Sequence, residues 1–340
     1  MRILLTGGTG KVGRAAVQVL VAAGHQVTVI GRTQGISIAG AAYEPCDVND
    51  YDALRRVTQG NEAIVHLAAI PNPVGTPGRE IFRVNNLGTF HVFEAAAECG
   101  VGRVVGASSI NAFGFFFGDH SFPIDYLPID EDHAGLATDA YSFSKQIMEA
   151  TGRYFWERDR ISGVMLRLPG VYDHGRLTAS STFRQRENPP PVAVKLLEMS
   201  EEKREREVRR LCDAYDEHRR TNRLDHAEKG WLRGKWQDAV SHLTWEELHF
   251  MSHRANFFTY IDELDSAQAI LKGVEAKYEG SHALYVNASR NGARLSLEDA
   301  AKLFFPPVGE IRPHPEGEDS LVSIQKAREL IGFEPQYMID

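Results

Sequence analysis

The chain has 340 residues, 43% hydrophobic and 25% charged. That is an ordinary soluble composition, and it excludes collagen-like and low-complexity disordered chains. Lysine plus arginine is 38 against 46 for aspartate plus glutamate, a net charge of −8, which argues against nucleic acid or an anionic membrane as the main partner. The first half then reads as alternating strands and helices. Arg2–Thr6 is a short apolar run before glycines, and Val12–Ala23 has helical character that Gly24 stops. Gln26–Ile30, Ala42–Cys46 and Ala63–Leu67 read as strands, Glu80–Cys99 as a helix ended by Gly100, and Arg103–Ala107 as a strand running into Ser108-Ser109. Ala140–Arg158 is a helix and Gly163–Leu168 a strand. The alternation predicts a doubly wound parallel α/β sheet of the Rossmann type.

Near Gly175 the character changes. Pro189-Pro190-Pro191 punctuates a loop, and Glu198–Arg220 is dense in both charges, with Val208, Leu211 and Tyr215 at helical spacing. Val192–Arg254 is expected to be mostly helical, its charged stretch a solvated face. Trp231, Trp236 and Trp245 lie there and suggest that it packs on something. From Phe257 the α/β pattern returns, with helices at Asp262–Gly273, Leu297–Phe304 and Val322–Ile331 and a strand at His282–Asn287. The expected division is residues 1–175 (dinucleotide-binding), 176–256 (helical insertion) and 257–340 (returning elements and a smaller C-terminal substrate region). Cys46, Cys99 and Cys212 are too few and scattered for a disulfide framework or thiolate metal site, so a reducing, cytoplasmic compartment is expected. The N-terminal apolar run is too short for a signal peptide, and no stretch reaches membrane-spanning length.

The segment Thr6-Gly7-Gly8-Thr9-Gly10-Lys11-Val12-Gly13 lies between a predicted strand and a predicted helix. Glycines at 7, 10 and 13 permit a sharp turn, close approach to a pyrophosphate and tight helix–strand packing. The helix N-terminus adds N–H donors and partial positive charge. Gly7, Thr9, Gly10, Lys11, Val12 and Gly13 are thus candidate nucleotide-cofactor contacts. A carboxylate ending the second strand would favour NAD, but the chain reads Val29-Ile30-Gly31-Arg32. Arg32 suits the 2′-phosphate of NADP, and stacked on adenine it suits either cofactor.

Tyr141 and Lys145 are four residues apart in a predicted helix and share one face. A phenol with a pKa of ~10 is a poor base at neutral pH, and a nearby ammonium favours the phenolate. Tyr141 can then exchange a proton with a substrate hydroxyl or carbonyl while hydride moves to or from a nicotinamide, with Lys145 on the nicotinamide ribose. Ser109, after a strand, can orient the same substrate oxygen. Ser109, Tyr141 and Lys145 are the candidate catalytic trio. His249 and His253 have chelate spacing, but no third ligand is placed, and no metal is expected. Phe113, Phe115, Phe116 and Phe117 form either packing or a substrate wall.

These features make the chain resemble an extended short-chain dehydrogenase/reductase of the NAD-dependent epimerase/dehydratase family. The resemblance covers roughly residues 1–175 and 257–335. Beyond the glycine loop and the trio it rests on Cys46-Asp47-Val48, His66-Leu67-Ala68-Ala69, Asn85-Asn86-Leu87-Gly88-Thr89, Ser108 through Gly114, and Arg167-Leu168-Pro169. It implies that Asp47 and Val48 contact adenine and that Leu67, Ala68 and Ala69 line the cofactor groove. Asn85 would support the active-site helix and its water, and Pro169 would lie near the carboxamide. It also implies a C-terminal region closing over the substrate and a homodimer built on two helices per subunit.

The chain also departs from the nucleotide-sugar members. Gly170 stands in place of their asparagine and Asp173 in place of a glycine. Asn256 stands where an arginine would bind the diphosphate, with Arg254 two residues away as a substitute. The long charged insertion is foreign to the family. The expected substrate is therefore a free sugar, sugar acid or related carbohydrate, with Asn111 a candidate contact alongside Ser109 and Tyr141. Net oxidation or reduction is favoured over epimerisation or dehydration with retained NAD. A non-catalytic NADP-sensing binding protein is the reading of a different class.

Overall fold

Short apolar and β-branched runs supply the strands at the centre of the molecule. The computed structural model describes residues 1–174, 189–221, 242–313, 315 and 317–338. Its strands are β1 (Arg2–Thr6), β2 (Gln26–Gly31), β3 (Ala42–Pro45), β4 (Ala63–His66), β5 (Arg103–Ser109), β6 (Tyr126–Leu127), β7 (Ser162–Leu168), β8 (Val171–Tyr172), β9 (Ile261–Asp262), β10 (Ser281–Tyr285) and β11 (Glu310–Ile311). Seven of them form one parallel sheet in the order β10-β7-β5-β4-β1-β2-β3. The order reverses between β1 and β4, the switch point at which such sheets open a crevice for ligands.

Helices cover both faces, as parallel strands buried on two sides require. The described helices of seven residues or more are α1 (Lys11–Ala22), α2 (Tyr51–Thr58), α3 (Gly88–Cys99), α4 (Ala140–Asp159), α5 (Pro191–Leu197), α6 (Glu201–Thr221), α7 (Trp245–Ala255), α8 (Glu263–Glu275) and α9 (Gln325–Ile331), of which α5, α6 and α7 pack on one another; the helix expected over Leu297–Phe304 is shorter, Leu297–Ala301. Ala16, Val17 and Leu20 of α1 share a core with Ala269 and Ile270 of α8 and Ile331 of α9 on one face. Leu54 of α2, Phe93 of α3 and Phe155 of α4 fill the other. A third core joins Phe113 and Phe115 to Leu211 and Tyr215 of α6, Phe250 of α7 and Phe257. The charged stretch is indeed helical, and Val208, Leu211 and Tyr215 form its buried stripe.

Several boundaries differ from the sequence expectation. The helix expected over Glu80–Cys99 begins with a turn at Gly78–Ile81 and carries a π-helical turn, Phe82–Leu87, ahead of α3. The helix expected from Val322 starts at Gln325, because Val322 pairs with Ile129 as an isolated parallel bridge. Asp262 caps α8, accepting from Leu264 N at 2.8 Å. Asp265 does more than sit in the first turn: buried, it accepts from Gln336 N and Tyr337 N at 2.9 and 3.0 Å and fastens the C-terminal segment to α8. Trp245 is exposed, and Trp231 and Trp236 lie outside the described residues.

Candidate active site

The C-terminal ends of β5, β4, β1, β2 and β3 lie in that order along the sheet. Ser109, Leu67, the glycine loop, Arg32 and Asp47 follow those ends in turn. At neighbouring-strand spacing of about 4.8 Å, the row makes a track suited to an extended ligand. Gly7 has φ +75°, and a Cβ there would lie 2.8 Å from Ala68 N. A Cβ on Gly13 would meet Gly7 O at 2.4 Å. The loop is therefore a close-packed cradle leading into α1, and it fits the phosphates of a dinucleotide.

At one end of the track lies a cavity of about 460 Å³ lined by Ser109, Asn111, Tyr141, Lys145, Val12, Leu67, Ala69 and Pro169 among others. The trio and part of the expected cofactor wall thus converge on one space. Ala68 and Asn85 instead line a small neighbouring space behind Lys145. Arg32 is exposed at the end of β2. Asp47 turns its carboxylate on its own loop, accepting from Asn49 N at 2.9 Å. Val48 is buried in the α2–α3 core. Asn85 is a prop rather than a groove-facing contact. Its amide accepts from Ile70 N at 2.8 Å and donates to Ile70 O and to Ser144 Oγ at 3.1 and 3.0 Å.

Asp139 caps α4 by accepting from Ser142 N at 2.8 Å, so this helix starts just ahead of Tyr141. Ser109 Oγ accepts from both the backbone N and Nδ2 of Asn111, at 3.1 and 3.2 Å. Its own O–H points to Leu168 O at 3.4 Å, the long end of the hydrogen-bond range, so a substrate oxygen competes with that carbonyl for the proton. Burial drives the Tyr141 phenol up to about 12, and the hydrogen bond with Ser109 opposes that rise. Burial pushes Lys145 down to about 8, while Glu149 opposes that fall. Lys145 Nζ donates to Ala107 O at 2.7 Å and lies 5.5 Å from the centre of the Tyr141 ring. The simple expectation that Lys145 prepares a phenolate is thus modified. Desolvation dominates both groups, and the hydrogen bond easing Tyr141 comes from Ser109.

Sequence reading missed a buried pair behind the trio. Glu149 takes a bidentate contact from Arg167 Nε and Nη2, both at 2.9 Å, and a hydrogen bond from Ser108 Oγ at 2.7 Å. The signal was available, since Tyr141, Lys145 and Glu149 are spaced i, i+4, i+8 on one helix face. The four phenylalanines divide. Phe113 and Phe115 are core, whereas Phe116 and Phe117 line the cavity, with Phe117 edge-on to Tyr141 at 5.6 Å. Ser252, His253, Asn256 and Thr259 close the far side.

Arg254 does not substitute for a diphosphate-binding arginine. It is fully buried, its Nε donates to Leu303 O at 2.6 Å, and its guanidinium lies 4.4 Å from the Phe304 ring centre. His249 and His253 pack ring to ring at 4.4 Å. Among the described residues, no three His, Cys, Asp or Glu side chains gather as a metal site. No described helix is long and apolar enough to cross a membrane.

Comparison with known proteins agrees with this geometry. The chain is 33% identical over 173 residues to the L-arabinose 1-dehydrogenase (NAD(P)(+)) of Haloferax volcanii, covering 49% of this chain and 66% of that protein. It is 30% identical over 169 residues to the uronate dehydrogenase of Pseudomonas syringae pv. tomato, covering 49% and 58%. The chain thus spans 58–66% of the length of these relatives. A short-chain dehydrogenase/reductase superfamily protein from Agrobacterium tumefaciens with bound NAD shares the fold, with a TM-score of 0.62, 20% identity and coverage of 100% and 94%. The profile of the NAD dependent epimerase/dehydratase family matches residues 3–193, and the chain belongs to that family.

Proposed function

We propose that the protein is an NAD(P)-dependent oxidoreductase that moves hydride at a secondary alcohol or ketone of a sugar, sugar acid or related carbohydrate. The observation that carries this reading is the convergence of Ser109, Tyr141 and Lys145 on one cavity beside the glycine-loop track. The nicotinamide, when bound, supplies the hydride acceptor or donor. Ser109 donates to the substrate oxygen and fixes its position. In oxidation Tyr141 Oη takes the hydroxyl proton, and in reduction it gives one back. Lys145 supplies positive charge next to the phenol and donors for the cofactor ribose. Phe116 and Phe117 exclude water from one side. Asn111 lines the cavity and has a buried Oδ1 with no hydrogen-bond partner, an acceptor suited to a sugar hydroxyl.

Relatives named as L-arabinose, uronate and glucose-6-phosphate dehydrogenases support the carbohydrate class. Arg32, with no carboxylate at the end of β2, supports NADP over NAD. Cys46, Cys99 and Cys212 are free thiols, in keeping with a cytoplasmic setting. Phe82 and Leu87 ahead of α3, and Phe143 and Tyr154 on α4, are large exposed apolar groups on adjacent elements, which supports a homodimer through those helices.

A second reading, internal redox with a retained cofactor as in an epimerase or dehydratase, is favoured by one contact. Lys11 Nζ reaches Val171 O at 3.1 Å and Asp173 Oδ1 at 2.9 Å, tying the glycine loop to the segment after β7. Denaturing the purified protein and identifying the released nucleotide tests both. Little released nucleotide together with reduction of added NADP or NAD by a sugar panel is the expected result. Stoichiometric release without net redox favours the second reading.

A further inference from the structure

Behind Lys145, Asn85 is one member of a larger set of buried polar groups. Thr6, His66, Thr89, Asn85 and Ser144 are all nearly inaccessible to solvent. They run from the end of β1 to the catalytic helix.

The direction of each hydrogen bond in this set is fixed by valence. Thr6 Oγ accepts from Leu67 N at 3.1 Å and Ala68 N at 3.0 Å. The Leu67 N–H is shared with the Thr6 carbonyl, also at 3.1 Å, and the Thr6 hydroxyl turns its proton to His66 Nδ1, 2.8 Å away. His66 therefore carries its proton on Nε2, which faces Thr89 Oγ at 3.2 Å. Thr89 in turn donates to Asn85 O at 2.6 Å. The amide of Asn85 donates to Ser144 Oγ, and Ser144 donates to Tyr141 O at 2.7 Å. Burial and the Lys145 charge keep the imidazole neutral, with its pKa lowered to about 3. Asn85 lies in the π-helical turn, a geometry that recurs at functional sites.

We infer that His66, as a neutral Nε2-protonated positioning residue, links the glycine loop to the Tyr141 helix through Thr6 on one side and Thr89, Asn85 and Ser144 on the other. The Thr6 arm orders Leu67 and Ala68 against Gly7 and so serves cofactor affinity. The Thr89 arm sets the height of Tyr141 and so serves turnover. This inference rests on the oxidoreductase reading only for its turnover arm.

Two substitutions separate the arms. His66→Asn keeps an acceptor near the Nδ1 position and loses the donor to Thr89. His66→Gln keeps a donor near the Nε2 position and loses the acceptor for Thr6. His66→Asn is expected to bind NADPH or NADH within about twofold of wild type. Its kcat should fall roughly tenfold, the scale of a small misplacement of a reacting group. His66→Gln should weaken cofactor Kd roughly tenfold and keep kcat within about twofold at saturating cofactor. In the wild type, ¹⁵N chemical shifts should show Nδ1 bare and Nε2 protonated from about pH 5 to about pH 9. The ¹³Cζ titration of Tyr141 in the cofactor complex should move in His66→Asn and not in His66→Gln. Equal losses in the two variants, or a proton on Nδ1, would overturn the inference. If neither variant folds, the wild-type nitrogen shifts decide. If no sugar turns over, cofactor Kd and the Tyr141 titration decide, and that result counts against the oxidoreductase reading alone.

Discussion

Lys145 Nζ is held 2.7 Å from the carbonyl of Ala107, two residues before Ser109 on the same strand. One strand therefore locates both the ammonium and the serine, and the phenol comes from the helix packed against it. Tyr141→Phe should reduce turnover at least about 10²-fold, the lower range for lost general acid–base catalysis. It should leave cofactor Kd within about threefold, because the glycine loop ahead of α1, not the phenol, is the cradle suited to the phosphates. Lys145→Met should lose turnover and also weaken the cofactor. Sugar oxidation by the wild type should speed up as pH rises toward the Tyr141 pKa and ketone reduction should slow, since one direction needs the phenolate and the other the phenol. Steady-state rates in both directions across pH check this.

His66 predicts an acid-sensitive fold. Its pKa is about 3 in the folded protein against an unperturbed value of about 6.5. Between those values the unfolded chain binds more protons. Stability from this group is therefore complete above about pH 6.5 and is lost as pH falls toward 3, by on the order of 1.4 kcal/mol per pH unit. Denaturant titrations at a series of pH values should show this slope in the wild type and a shallower one in His66→Gln.

Glu149 and Arg167 are a buried pair with matched geometry, so removing one partner strands the other charge. Glu149→Ala should cost about 3–5 kcal/mol of unfolding free energy. It should also lower the Lys145 pKa further, because Glu149 is what opposes desolvation there. The double variant with Arg167→Met should recover part of the loss. Urea unfolding of the two single variants and the double variant measures it.

The contact from Lys11 to Asp173 is partly exposed, so its contribution is modest. Asp173→Asn should raise the dissociation rate of bound nucleotide by about two- to fivefold, the range of an exposed ion pair, and leave thermal stability nearly unchanged. Stopped-flow displacement of NADPH measures it. An unchanged rate would remove the support this contact gives to cofactor retention.

The parts of the fold legible in the sequence are those written by local rules. Glycine spacing between a strand and a helix located the cradle, and the interval from Tyr141 to Lys145 located one face of α4. Alternating apolar runs gave the seven sheet strands to within a residue or two. Features set by distant partners were not legible. Val322 looked helical and is extended because Ile129 lies beside it. The two-residue strands β6, β8, β9 and β11 each exist only through one pairing. Arg254 and Asn256 are two apart, yet only Asn256 reaches the cavity, because Arg254 turns onto Phe304 and Leu303 O. The four phenylalanines look alike in sequence, and the turn at Gly114, with φ +89°, helps set which of them meet the core.

Strand β10 adds to the edge of the sheet beside β7, register Ser281 with Gly163 through Tyr285 with Arg167. As the chain leaves a ribosome, the glycine loop and Tyr141 emerge long before this edge strand does. The sheet cannot close until the charged helices and everything up to Tyr285 have been made, so a large loop must be drawn shut late. That places the slow, long-range step of folding at the β7–β10 seam rather than in the cofactor cradle.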